Sequence, residues 1–193
     1  RGLGDVYKRQ ELDLGAVAKG YAGARLAERL REQGVTSALL NLGGNVQTVG
    51  GKPDGSPWSV GVQDPASEQV DNLLAIQVVD QAVVTSGSYQ RDFQQDGQTY
   101  WHILDPKTAA PARTGLASVT VVGPDGTVCD GLATALFVLG EEAGIELWRA
   151  HSELDVQVIW VREDGSVALT EGLEENYRVN PQRQDLEITV VEA

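Results

Sequence analysis

Residues 155 to 173, DVQVIWVREDGSVALTEGL, set two β-branched, apolar runs on either side of Asp164-Gly165. An Asp-Gly pair between two such runs signals a hairpin with Asp164-Gly165 at its turn. A hairpin makes its strands antiparallel neighbours, and similar punctuation recurs along the chain. LLAIQVVDQAVVTSG (73–87) gives two more strands with a turn between them, and WSVGVQ, YWHIL and LASVTVVG give one each, with DPKTAAPA breaking the second of these and PDG forming a turn after the third. SALLNLGGNVQTVGG (37–51) reads as a buried strand interrupted by Gly43-Gly44, a pair implying that something closely approaches the backbone. The stretch GGKPDGSPW is turn-rich, and DLEITVVEA adds a last strand.

Helical periodicity is confined to two regions. In ELDLGAVAKGYAGARLAERLREQG, an apolar entry at Leu12 and Leu14 leads to Val17, Tyr21, Ala24, Ala27 and Leu30 at steps of four and three. Gly34 stands where a C-terminal cap belongs, so the pattern predicts an amphipathic helix over roughly 16 to 33. The second region runs from Asp130 to about His151 as one or two helices, with Gly140 as a break. With strands outnumbering helices and hairpins dominating, the expected class is α+β: a mixed, largely antiparallel sheet packed with helices.

A chain of 193 residues, 41% apolar, can bury a core without crosslinks, and its single cysteine, Cys129, rules out an internal disulfide. Fifteen basic residues against 28 acidic ones give a net charge of −13, which argues against nucleic acid as a partner. A phosphate-bearing small molecule stays possible, since a divalent cation can neutralise both the ligand and the carboxylates that hold it. The chain contains no methionine, which points to a fragment. Residues 1–10, RGLGDVYKRQ, resemble a translated sequencing-adapter scar and are set apart from the fold, leaving 11–193 as the domain. Any targeting segment is expected to have lain upstream, and no stretch reaches the ~18 apolar residues of a membrane span.

Familiar chemical signatures are missing. Gly51-Lys52 lacks the phosphate-loop spacing and is followed by Pro53; His102 and His151 lack the spacing of a zinc helix pair; Ser86 sits in no G-x-S-x-G elbow. What remains is polar residues beside glycines at element ends. Asp130 opens the second helical region, where aspartate is a preferred N-cap. Thr134 lies one turn further on the same face, so the two oxygens suit a hard cation such as Mg²⁺, with carbonyls, water and phosphate oxygens completing its shell. The spacing leaves both readings open. Asp13 and Lys19 flank a helix beginning whose N–H groups and dipole can receive anions, and His102 at a strand end is either a surface residue or a general base.

Six blocks occur together in order: LDLGAVAKGYA (12–22), LLNLGGNV (39–46), TSGSYQRDF (85–93), HILDPKT (102–108), SVTVVGP (118–124) and CDGLATALFVLG (129–140). In these the chain resembles the FAD:protein FMN transferases, the ApbE-like flavin transferases. The resemblance implies an ApbE-like fold, of which 11–193 is the C-terminal portion. It also implies an enzyme that moves the FMN half of FAD onto a Thr or Ser hydroxyl of an acceptor protein with release of AMP, with Mg²⁺ as the metal. The acceptor would be a subunit of a membrane redox complex, carrying a Ser/Thr-Gly-Ala-Thr-like segment. The parent would be a lipoprotein on the extracytoplasmic face of the cell membrane. Asp130, Thr134 and the main-chain carbonyl of Ala16 would be metal ligands; Asp13, Lys19, His102 and the backbone at Leu104 would contact FAD; His102 would be the catalytic base. Alternatives are an FAD pyrophosphatase and a non-catalytic flavin carrier. Two departures stand out. Ala109 follows DPKT where the family usually has glycine, so that turn must avoid a positive φ or accept strain. Ala133 stands where an additional acidic metal ligand occurs in the family, leaving one more site to water or phosphate.

Overall fold

The computed structural model describes residues 13–67, 71–89 and 91–193. Leu12 and the opening decapeptide lie outside the described residues. Helix α1 (Ala18–Glu32) precedes strands β1 (Ala38–Asn41), β2 (Asn45–Val49), β3 (Trp58–Gln63), β4 (Asn72–Val78) and β5 (Ala82–Gly87). A small hairpin, β6 (Asp92–Gln95) and β7 (Gln98–Trp101), is followed by the short pair β8 (Leu104–Asp105) and β9 (Ala110–Pro111), then β10 (Leu116–Gly123). Helices α2 (Gly126–Leu139) and α3 (Glu141–Ala150) lead to β11 (Gln157–Arg162), β12 (Val167–Thr170), β13 (Tyr177–Val179) and β14 (Ile188–Val191).

The expected α+β class is borne out. A seven-stranded sheet of order β1-β2-β5-β10-β11-β12-β14 is antiparallel throughout except where β14 joins β12 in parallel. One face carries Val84, Val119, Val121, Val158 and Trp160, packed against Ala133, Leu136 and Phe137 of α2. The opposite face carries Val83, Val122, Ile159, Val161 and Leu169, packed against Val60, Val62, Leu74 and Ile76 of a three-stranded sheet, β13-β4-β3. Every residue of β10 is therefore buried, which explains why its apolar residues do not alternate with exposed ones, Ser118 and Thr120 being buried as well. Each large side chain so buried is worth about 1.5–3 kcal/mol, so this two-sided core holds β5 and α2 firmly in place.

Several expectations change on contact with the structure. Residues 37–51 form a hairpin rather than one interrupted strand: Gly43 and Gly44 both take positive φ (64° and 86°) and reverse the chain, pairing Ala38 with Val49. The two strands of 73–87 separate, β4 joining the small sheet and β5 the large one. YWHIL is not one strand. Trp101 ends β7 and Leu104 begins β8, although burial still alternates, with Trp101 and Ile103 inside and His102 and Leu104 outside. Helix α1 ends as expected. Gly34 (φ 82°) donates to the Arg31 carbonyl and Val35 to the Leu30 carbonyl, a Schellman closure.

The buried face of α1 differs from the predicted apolar stripe. Tyr21 and the entry residue Leu14 are exposed, and the residues that go inside are Gly20, Gly23 and Ala27. Small residues win because α1 lies against backbone. A Cβ on Gly20 would come within 2.1 Å of the Gly126 carbonyl oxygen, and one on Gly23 within 2.7 Å of Gln47 Cγ. Gly126 is equally constrained, since its Cβ would meet Gln47 Nε2 at 1.8 Å. Three glycines thus let α1, α2 and β2 converge at one point.

The DPKTA turn accepts strain. Ala109 has φ 55°, held by its N–H bond to the Asp105 carbonyl (2.8 Å), while the Asp105 side chain accepts the Lys107 N–H (2.8 Å). A left-handed non-glycine residue costs about 1–2 kcal/mol. Ala109→Gly should therefore raise unfolding free energy by about 1 kcal/mol after the entropic penalty of glycine, measured by urea denaturation. Unchanged or reduced stability would show that the turn is relaxed.

Candidate functional site

Helix α2 begins four residues earlier than the sequence suggested. Asp125 is its N-cap, with Oδ1 accepting the N–H groups of Thr127 (2.7 Å) and Val128 (3.2 Å). Asp130 consequently lies inside α2 and is not its cap. Its carboxylate instead caps the other helix: Oδ2 accepts the N–H of Gly20, in the first turn of α1, at 2.7 Å. That N–H is one of the donors a helix start leaves unpaired, and α1 has no side-chain cap of its own. Asp130 reaches it only because the glycine crossing brings the helix beginnings together.

The junction opens onto a cavity of about 570 Å³. Asp13, Ala16, Lys19, His102, Leu104, Asp130 and Thr134 all line it, so the residues expected to bind metal or FAD stand on one wall or another. They arrive from the entry to α1, from α1 itself, from the β7–β8 segment and from α2. Lys19 Nζ donates to the Gly43 carbonyl at 3.0 Å, fixing its ammonium beside the β1–β2 turn. That contact gives Gly43-Gly44 its close neighbour. Asp13 Oδ1 accepts the Gly15 N–H at 2.6 Å and shapes the approach to α1. His102 projects between two buried neighbours, Trp101 and Ile103, and is exposed at the cavity. Ala133 is absent from the wall. It is fully buried in one apolar cluster with Leu136 and Phe137.

Two kinds of residue were not assigned a role from sequence. Arg91 puts a second cation on the cavity wall. Ser86, with Thr85 and Gly87, brings the end of β5 to it, and Ser86 Oγ lies 3.0 Å from Thr134 Oγ1. Both sit in the TSGSYQRDF block, whose side chains carry no distinctive spacing. Cys129, one residue from Asp130, plays no part: burial, reinforced by the charges of Asp125 and Asp130, pushes its thiol up to about 12.

Whether this wall suits a divalent cation can be judged from its oxygens. Asp130 is 4% exposed, and burial drives its carboxyl above the ordinary aspartate value, while the Gly20 N–H, the Lys19 charge and the Asn45 amide pull the other way. The Asn45 amide is a weak partner, since its nitrogen makes no hydrogen bond of good geometry. A buried carboxylate whose neighbours do not fully offset its desolvation is one that a cation would stabilise. The described residues contain no group of three or more His, Cys, Asp or Glu, so an all-protein cage is absent there. One carboxylate, one hydroxyl and a nearby main-chain carbonyl fit an ion that takes its remaining oxygens from water and phosphate.

The raised Asp130 value has a consequence for stability. As pH rises, the unfolded chain loses this proton first, so the penalty on folding grows from the ordinary aspartate range upward and stays at its full value once the folded group has also ionised. Below that range it contributes nothing. Without metal, Asp130→Asn should gain melting temperature over the parent as pH goes from about 3 to 7, the two proteins lying close together at the acid end. A difference independent of pH would mean that charge burial is not its cause.

Known proteins resemble this chain over most of its length. A family model described as the ApbE family matches residues 4–160. A protein of Klebsiella pneumoniae (strain 342) named FAD:protein FMN transferase is 41% identical over 160 residues, covering 83% of this chain and 48% of that protein. One of the same name from Treponema pallidum (strain Nichols) is 38% identical over 185 residues, covering 92% and 51%. Among solved structures, the ApbE protein from Thermotoga maritima superposes with a TM-score of 0.78 at 36% identity, covering 87% of this chain and 54% of its own. The apo form of the flavinyl transferase ApbE from Pseudomonas stutzeri gives 0.71 at 34% identity, covering 86% and 51%. The chain thus spans about half the length of these relatives.

Proposed function

The chain belongs to the ApbE family, and from that premise we propose that it carries the reaction centre of an FAD:protein FMN transferase. The observation that supports this most is the convergence of Asp13, Lys19, His102, Asp130 and Thr134, from four separate segments, on one cavity. In the proposed reaction, a Thr or Ser hydroxyl of an acceptor protein attacks the phosphorus on the FMN side of the FAD diphosphate. A new phosphoester bond forms, the bond to the bridging oxygen breaks, and AMP leaves with that oxygen.

The chain's own groups divide the work. Lys19, held by the Gly43 carbonyl, and Arg91 provide positive potential for the diphosphate. His102 takes the proton of the incoming hydroxyl at an imidazole nitrogen. The positive end of the α1 dipole, whose first turn is fixed by Asp130, adds to that positive potential. Asp130, Thr134 and the Ala16 carbonyl would hold Mg²⁺. When bound, that ion offsets negative charge developing on the phosphate oxygens. Leu104 would line the flavin side of the cavity.

The acceptor is proposed to be a subunit of a membrane redox complex, and the extracytoplasmic membrane face to be the place of work. Both rest on the family resemblance. No helix among the described residues is long and apolar enough to cross a membrane.

The test is incubation with FAD, Mg²⁺ and an acceptor bearing a Ser/Thr-Gly-Ala-Thr-like segment. Covalent flavin fluorescence in the acceptor supports transfer; free FMN with unmodified acceptor indicates hydrolysis, and intact bound FAD indicates a carrier. His102→Ala should slow transfer by about 10²–10⁴-fold with FAD binding retained. Transfer at the parent rate would remove His102 from the role of base.

A further inference from the structure

The contact between β5 and α2 is apolar until it reaches the cavity. Ala82 and Val84 of β5 share one buried cluster with Cys129, Ala133, Leu136 and Phe137 of α2, and the two-residue period of a strand brings Ser86 to the same face. At the cavity edge each element carries a hydroxyl, and the two oxygens are 3.0 Å apart. Thr134 Oγ1 has a second neighbour, the Asp130 carbonyl oxygen one turn back, at 3.4 Å. For Ser86 Oγ, the Thr134 hydroxyl is the one hydrogen-bond partner among the described residues. An alanine would continue the apolar row of β5 equally well, so packing does not explain a serine here.

A threonine hydroxyl has one proton and two lone pairs. To bind a cation it must turn a lone pair to the ion and its proton elsewhere. The Asp130 carbonyl is the poorer acceptor, at the long limit of a hydrogen bond, whereas Ser86 Oγ is at good distance. Coordination would also polarise the Thr134 O–H and favour its acting as the donor of the pair.

We propose that Ser86 is a positioning residue for the metal site: its Oγ accepts the Thr134 proton and so aims a Thr134 lone pair at the cation. This rests on the reading that Asp130 and Thr134 hold a divalent cation together with the FAD diphosphate. Groups that orient a metal ligand typically contribute ten- to a hundredfold in metal affinity.

The experiment measures Mn²⁺ binding to the protein in the presence of FAD and without acceptor, by the free-ion paramagnetic signal. The proteins compared are the parent, Ser86→Ala, Ser86→Thr, Thr134→Val and the Ser86→Ala/Thr134→Val double variant. Metal-free melting temperatures of all five separate folding defects from binding defects. Ser86→Ala should weaken Mn²⁺ binding by about tenfold or more, and Ser86→Thr, which keeps the hydroxyl, should retain parent-like affinity. In the Thr134→Val background, removing the Ser86 hydroxyl should have no further effect, because the partner it acts through is gone. Affinity within twofold of the parent for Ser86→Ala, or a full loss repeated in the Thr134→Val background, overturns the proposal. A parent that binds no Mn²⁺ with FAD present overturns the cation reading itself, an outcome visible before any variant is compared.

Discussion

A single hydrogen bond between two helices organises this molecule's candidate site: the Gly20 N–H donating to Asp130 Oδ2. It satisfies a donor that α1 would otherwise leave open, and it does so with a carboxylate borrowed from the second turn of α2. The bond is possible because Gly20 and Gly126 allow helix-to-helix contact at backbone distance and Gly23 and Gly126 fit around Gln47. It carries a penalty as well, since Asp130 is buried and its ionised form is disfavoured. A side chain that only capped a helix would gain nothing from such burial. A cation held there, as proposed, would offset that cost.

The same junction reconciles the protein's charge with an anionic ligand. At −13 the chain as a whole repels phosphates, yet on the cavity wall Lys19 and Arg91 balance Asp13 and Asp130 beside the beginning of α1. Local potential outweighs net charge at this range, because surface charges beyond about 8–10 Å are largely screened at physiological salt. The small number of protein oxygens around Asp130 has a further implication for the proposed chemistry. An ion held by one carboxylate and one hydroxyl is best retained when the diphosphate supplies ligands too, so metal and FAD would enter as coupled ligands.

Much of the frame was legible before any coordinates. Asp164-Gly165 marked the β11–β12 hairpin, Gly140 the break between α2 and α3, and Gly34 the end of α1, because each is a local event with its own backbone requirement. The seven site candidates were also named from sequence and meet in one cavity. What escaped was decided by distant partners. Hydrophobic spacing placed Tyr21 inside α1, whereas the crossing with α2 selected glycines, which carry no hydrophobic signal. Asp130 looked like an N-cap because the GPDGTVC before it reads as a turn, whereas Asp125 within that stretch is the cap and starts α2 earlier. β4 and β5 read as a pair, but burial on both sides of the large sheet drew them into different layers. Ser86 was visible only as a letter in TSGSYQRDF, since its partner stands 48 residues away on another element.

The central claim is that the Asp130 carboxylate fixes the first turn of α1 and holds it ready for a cation and a diphosphate. The most direct measurement is the Gly20 amide resonance, followed through pH, hydrogen exchange and addition of Mg²⁺ with FAD. The account predicts slow exchange for an amide whose first-turn position would normally leave it unprotected. It also predicts one pH-dependent shift with a midpoint above the ordinary aspartate range, absent in Asp130→Asn, and a further displacement when metal and FAD are added together. A Gly20 amide that exchanges as freely as an uncapped helix start, and is indifferent to pH and to both ligands, would contradict it.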